Sequence, residues 1–291
     1  MKSNRIASHP SLFAAALFVL AMTTLSSAQN LSCKFKFVQF PTAPWTTADD
    51  LSDNAGMVVG FYTDSSGSNG HGFLFQNGQY STIDYPGAVA TSAVGTNHNG
   101  DIVGWYTTPD LLTSGFLLSN GNFTSITVPG ETYVTAAGIN DNGDVVGTLG
   151  SGSAYVLSNG VVTKISYPGA QATYGNGINN QGDIVGQYYD ATQKRWHGFI
   201  DRGGNFTSIT VGNSELTFST SINNFGQVAG YYHDAVAGRE QGFRWQNGHY
   251  QIVSDGNLWV ELNGINDKGQ LAGAVKKSWA GMPHGILAQC Q

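Results

Sequence analysis

Residues 177–186 read GINNQGDIVG, and the rest of the chain can be laid out around this stretch. It recurs as GINDNGDVVG from Gly138, SINNFGQVAG from Ser221, GINDKGQLAG from Gly264 and GTNHNGDIVG from Gly95, with LSDNAGMVVG from Leu51 as a degraded sixth copy. The closing glycines, Gly60, Gly104, Gly147, Gly186, Gly230 and Gly273, are 44, 43, 39, 44 and 43 residues apart. A fixed period of this length is that of a four-stranded propeller blade.

Residues 93–130 show how one unit is built. A strand runs to Thr96, Asn97-His98-Asn99-Gly100 turns the chain, and a second strand follows through Ile102, Val103 and Trp105. A third strand, Gly115 to Leu118, reaches Asn120-Gly121, a pair suited to a two-residue hairpin because both positions take positive φ. The fourth, Phe123 to Val128, stops at Pro129-Gly130. A glycine inside each second strand, and another before the third-strand aromatic (Gly72, Gly115, Gly198, Gly242 and Gly285, with Ala154 the exception), implies close approach by a neighbouring blade's side chain.

The last unit stops after its third strand, His284 to Gln289, and FKFVQFP at residues 35–41 aligns without gaps on FTSITVP at 123–129, a fourth strand. The fold expected is therefore all-β, a six-bladed β-propeller of four-stranded blades, closed by the N-terminal strand completing the last blade; closure removes the exposed sheet edges. In that alignment Cys290 takes the place of Asn77 and Cys33 that of Gly78, so a disulfide stands where a hairpin turn would be.

Lys2 and Arg5, an apolar run from about Leu12 to Met22 and Ser26-Ser27-Ala28 have the layout of a cleavable signal peptide, residues 1–28, leaving residues 29–291 as one propeller domain. Export to the periplasm or the medium also suits a bonded cysteine pair. Loss of Lys2 and Arg5 leaves 11 Lys+Arg against 19 Asp+Glu, a formal charge of −8, which disfavours a nucleic-acid partner. No later segment reaches the roughly 18 apolar residues of a membrane span. The mature chain is expected to be a monomer.

The units, with their G-I-N-x-x-G-x-I-V-G core and the triplets His71-Gly72-Phe73, His197-Gly198-Phe199 and His284-Gly285-Ile286, resemble the HAF-type extracellular repeat family of exported bacterial propeller-like proteins. The resemblance covers residues 34–289 and implies export and a repeat fold, but no catalytic residue and no cofactor.

Turns between strands one and two, and between three and four, are minimal, so the longer loops gather on the opposite face, where function is expected. The loops leading into the inner strands bring Trp45, Tyr133, Tyr174, Phe218 and Trp259, and those between second and third strands bring Trp105, Tyr189, Trp196 and Tyr232. Flat rings in a polar setting suit sugar faces or extended peptides, and blade-to-blade packing is the competing reading. The leading expectation is a non-catalytic recognition module for an extracellular glycan or protein. The alternatives are a glycoside hydrolase or lyase using Glu131, Glu215, Glu261, Asp64, Asp190 or Asp234, and a structural surface protein. His71, His197 and His284 fall in different blades and cannot converge on a metal, His98 reads as a turn cap, and no metal site is assigned.

Overall fold

The computed structural model describes residues 29–53 and 56–290, so the expected leader at residues 1–28 lies outside the described residues. Among these, every regular element is a strand. The strands run as antiparallel meanders of four, whose first, innermost strands are Thr46–Leu51, Ala90–Thr96, Val134–Ile139, Ala172–Ile178, Thr217–Ile222 and Trp259–Ile265. The last meander takes its fourth strand from Cys33–Val38, which pairs with His284–Cys290 so that Cys33 faces Cys290 and Val38 faces Gly285. The disulfide Cys33–Cys290 closes this strand pair across 257 residues of sequence.

The architecture is a propeller, but hydrogen bonding divides it into five sheets, not six. Gly70, at the start of a third strand, pairs in parallel with Ala90 of the next inner strand, and that one contact merges the first two meanders into an eight-stranded sheet. The glycine at this position leaves room for the Phe61 ring, which a Cβ would meet at 2.5 Å. The equivalent contact recurs as isolated bridges at Thr113–Tyr133 and Trp196–Leu216. Gln29–Leu31, for which the repeat makes no provision, adds a parallel fifth strand along His249–Val253 and covers that edge.

The glycine expectation holds in part. A Cβ on the third-strand Gly72 would lie 3.0 Å from the main-chain N of Ala93 in the next unit, as expected of a contact between units. The second-strand glycines answer their own unit instead, an inner-strand carbonyl in all six and a ring as well in five. A Cβ on Gly60 would meet the Phe73 ring at 2.7 Å, and Phe73, Phe116, Tyr155, Phe199 and Phe243 are all fully buried over the equivalent glycines. Each of these rings lies directly across the strand pair from its glycine, but the closest obstacle to a Cβ in all six units is a carbonyl of the adjoining inner strand, Thr47 O at Gly60 and Glu261 O at Gly273.

The motif asparagine joins one unit to the next. Asn97, Asn140, Asn179, Asn223 and Asn266 are buried. Each Oδ1 accepts from a main-chain N–H further along its own turn, as Asn179 does from Gln181 and Asp183 at 3.1 and 2.9 Å. Each of the first four donates its Nδ2 to the carbonyl of the next motif asparagine: Asn97 to Asn140, Asn140 to Asn179, Asn179 to Asn223 and Asn223 to Asn266, at 3.0, 3.0, 3.3 and 3.0 Å. Beneath this belt the motif glycines bring inner-strand backbones together; a Cβ on Gly138 would sit 3.0 Å from the Cα of Gly177.

The first unit departs from the belt, and here the gapless reading of LSDNAGMVVG is corrected. Leu51 pairs with Val58 as Ile178 pairs with Ile184, and Ser52 closes its turn on Met57, one residue later than Asn179 closes on Asp183. The turn carries one extra residue. Leu51 therefore takes the place of the motif isoleucine, Ser52 that of the asparagine and Asp50 that of the glycine.

Cross-linking a loop this long restricts the unfolded chain by on the order of 5 kcal/mol in the chain-entropy model. Cys33→Ser should lower the thermal midpoint by on the order of 10 °C relative to the oxidised parent, measured by calorimetry. An unchanged midpoint would show that the closing strand holds without the bond.

Candidate functional site

Each inner strand carries one unpaired residue. The register skips Asp49, Val94, Ala137, Asn176, Thr220 and Asn263, one bulge per unit. A bulge re-aims the extra side chain, and all six line one central cavity of about 400 Å³. Three bulge side chains also tie neighbouring units: Asn176 donates to the carbonyl of Ser219, Thr220 to that of Leu262 and Asn263 to that of Ala48.

The cavity lies on the side of the short turns between first and second strands. Its charged lining is five carboxylates, Asp49, Asp50, Asp53, Asp141 and Asp267, together with His98; its wall includes the rings of Trp105, Phe218 and Tyr231. Among the described residues, no lysine or arginine lines it.

Asp49 and Asp50 define the electrostatics. Burial among protein atoms pushes Asp49 up to about 8, with the neighbouring Asp50 and Glu261 charges adding to the effect and a hydrogen bond from Thr47 opposing it. Burial likewise pushes Asp50 up to about 7, against hydrogen bonds from the backbone of Thr96 and Leu51. The Thr96 N–H lies 3.0 Å from Asp50 Oδ2. Both side chains keep part of their surface open to the cavity, so a bound group can reach them. Perturbed carboxylates in a concave site are a marker of function.

The aromatics named from sequence separate into groups. Trp105 and Phe218 line the cavity. Tyr174, Tyr189 and Trp196 cluster at ring separations of 5.1–5.2 Å, and Trp196 makes an edge contact with Phe218 at 6.2 Å. Trp259 stands with Trp279 beneath Lys276, whose Nζ is 5.6 and 5.1 Å from the two rings. Trp45 meets Phe61 edge-on, and Tyr133 is exposed. Tyr232 is buried in the unit core against Val211, at the position where Tyr62, Tyr106 and Tyr188 stack 3.6 Å from Phe40, Tyr85 and Tyr167. It is a packing residue. Its neighbour Tyr231 faces the cavity and was not picked out from sequence.

Five of the six loop carboxylates are engaged locally, and Glu215 is exposed. Glu131 accepts from Ser151 and Lys164, which hold it below its usual range. Asp64 and Asp190 accept from groups of their own loops, Ser66 foremost for Asp64 and the backbone of Gln193 for Asp190, and both are lowered. Asp234 accepts from Val236, Ala237 and Gln241, and Glu261 pairs with Lys276. The triplet histidines are edge hydrogen bonders: His71, His197 and His284 engage Asp84, Thr210 and Gln39, each just past the end of the paired fourth strand.

No protein-family model matches this sequence, and no curated protein matches it. Among solved structures it is similar to the β-propeller domain of the Trilobed protease from Pyrococcus furiosus, at 9% identity and TM-score 0.53, covering 84% of this chain and 97% of that one. It is also similar to TolB from Acinetobacter baumannii (11%, TM-score 0.52, 81% and 64%) and to Trypanosoma rangeli sialidase (9%, TM-score 0.51, 91% and 58%). At such identities the likeness shows the fold alone. The described residues contain no helix long and apolar enough to cross a membrane.

Which residues form the cavity could have been found by aligning the units on their bulges. Asp49 and Asp50 then stand out, because the other units place Val, Ala, Asn or Thr at the first position and Gly or Ser at the second.

An acid whose folded-state pKa is raised binds protons more tightly when folded, so its contribution to stability falls as pH rises from its ordinary value of 3.8 through the folded pKa. The double variant Asp49→Asn, Asp50→Asn should therefore gain in thermal midpoint relative to the parent as pH goes from 5 to 8. A difference that stays constant over that window would mean both carboxyls titrate normally.

Proposed function

We propose that the protein is an exported six-bladed propeller, similar to the HAF-type extracellular repeat family, that serves as a non-catalytic recognition module for glycan. It takes a sugar unit carrying a free, protonated amine into the central cavity from the short-turn side. The count of meanders supports six blades, since the contact merging two of them is a single residue pair. The disulfide supports an oxidising compartment.

The observation that carries the ligand class is the cavity lining: Asp49 and Asp50 with no lysine or arginine beside them, in the same space as Trp105, Phe218 and Tyr231. Aromatic faces suit the apolar face of a sugar ring, the amides of Asn176, Asn263 and Gln187 suit its hydroxyls, and partly protonated carboxyls gain most from an ammonium group. The sequence reading favoured the long-loop face. The cavity is the better supported site, because five of the six loop carboxylates on that face are engaged locally and most of the named rings pack on one another.

Calorimetry with glucosamine and N-acetylglucosamine oligomers at pH 6, in the presence of EDTA, tests this reading. Glucosamine oligomers should bind and release protons, since a bound cation draws the carboxyl pKa values down; the buffer dependence of the enthalpy reports that release. Trp105→Ala and Asp49→Asn should each weaken binding at least tenfold. Equal binding of the N-acetylated oligomers, or no binding of either, would rule out the amine-directed site.

A further inference from the structure

Above the asparagine belt runs a second track, made by the next residue of each turn. His98 donates its main-chain N–H to Asp141 Oδ1, Asp141 to Asn180 Oδ1, Asn180 to Asn224 Oδ1 and Asn224 to Asp267 Oδ1, at 2.9, 2.9, 2.8 and 2.8 Å. Each carboxylate on the track is answered by a side-chain donor: Asn180 Nδ2 reaches Asp141 at 2.7 Å and Asn224 Nδ2 reaches Asp267 at 2.9 Å. At the junction with the first unit this alternation fails. The next residue there is Asp53, so two carboxylates meet where every other step pairs a donor with an acceptor.

His98 stands on the other side of Asp53. Its Nε2 is 3.5 Å from Asp53 Oδ2, and one donor atom each from Asp53, His98 and Asp267 lie within 4.8 Å of one another. The opposite ring nitrogen, Nδ1, engages Asp141 at 3.1 and 3.2 Å, and Asp141 is itself fixed by Asn180. A hydrogen bond from Nδ1 to a carboxylate is the arrangement that orients metal-ligating histidines, and here it turns the Nε2 edge of His98 toward Asp53. Asp53 Oδ1 is buried without a hydrogen bond. Lys268 Nζ approaches it only to 3.9 Å and donates to the Asp53 carbonyl at 3.3 Å.

We propose that Asp53, His98 and Asp267 form a binding site for a divalent first-row transition metal at the rim of the cavity. One imidazole with two carboxylates is the donor set of zinc, manganese or ferrous iron, and is short of the six to eight oxygens that calcium prefers. The site lies at the junction where the repeat must join its last unit to its first. The metal stands in for the missing donor of the track. It leaves Asp49 and Asp50 free deeper in the cavity, so the site is independent of the amine-directed reading above.

The protein freed of metal by EDTA and dialysis is titrated with Zn²⁺ and with Mn²⁺ at pH 7.5, by calorimetry and, for Mn²⁺, by loss of the free-ion paramagnetic signal. One equivalent of at least one ion should bind. His98→Asn and Asp267→Asn, which install the residue that Asn180 and Asn224 already provide on the same track and so should fold, are each expected to weaken that binding at least tenfold. No saturable binding of either ion below 1 mM overturns the proposal. So does parent-like binding by both folded variants, which would place the metal elsewhere on the surface.

Discussion

Everything in this propeller depends on one repeated hydrogen bond, from the buried amide of a motif asparagine to the main-chain carbonyl of the same residue in the next unit. A neutral amide can serve its own turn through Oδ1 and the neighbouring unit through Nδ2 at once, with acceptor and donor on separate atoms, whereas an ionised carboxylate only accepts. Because the bond is buried, breaking it would strand polar groups on both sides, and a stranded buried group costs more than a made bond contributes. Local turn geometry and the spacing between units are thereby fixed by the same side chain.

Where the belt stops, the chemistry starts. The first unit has a longer turn, Ser52 in place of the asparagine and Asp50 in place of the glycine, and it contributes three of the five carboxylates that line the cavity. Elsewhere the bulge position holds neutral side chains, and those of Asn176, Thr220 and Asn263 bond to the next unit. Keeping two adjacent acids there is costly by burial, as their raised pKa values record. Departures from an otherwise consistent repeat are where function is to be sought.

The period, the strand order within a unit and the closing pair were readable from sequence because each is a matter of spacing. The gapless match of residues 35–41 to a fourth strand put Cys33 opposite Cys290, and the structure pairs them in that register. What spacing does not record is the bulge. One unpaired residue per inner strand decides which side chains enter the channel, and GINNQG reads the same with or without it. The extra residue in the first turn was hidden in the same way, since Gly60 keeps its place whether or not the turn is lengthened. The second-strand glycines showed that something packs there, but not that Phe73 and its equivalents reach them across the strand pair. The sequence points to the other face for a related reason: long loops and aromatics mark that side, while the cavity is built from residues that, taken unit by unit, look structural.

Exchange of backbone amides for deuterium in Asn179→Ala, set against the surface control Asn122→Ala and read by mass spectrometry, tests the belt most directly. The account predicts faster exchange both in the turn at residues 179–183 and across the junction in the turn at 223–227, with a loss of global stability of about 2 kcal/mol or more. Exchange that rises only in the altered turn, with stability matching the control, would contradict a belt that carries load from unit to unit.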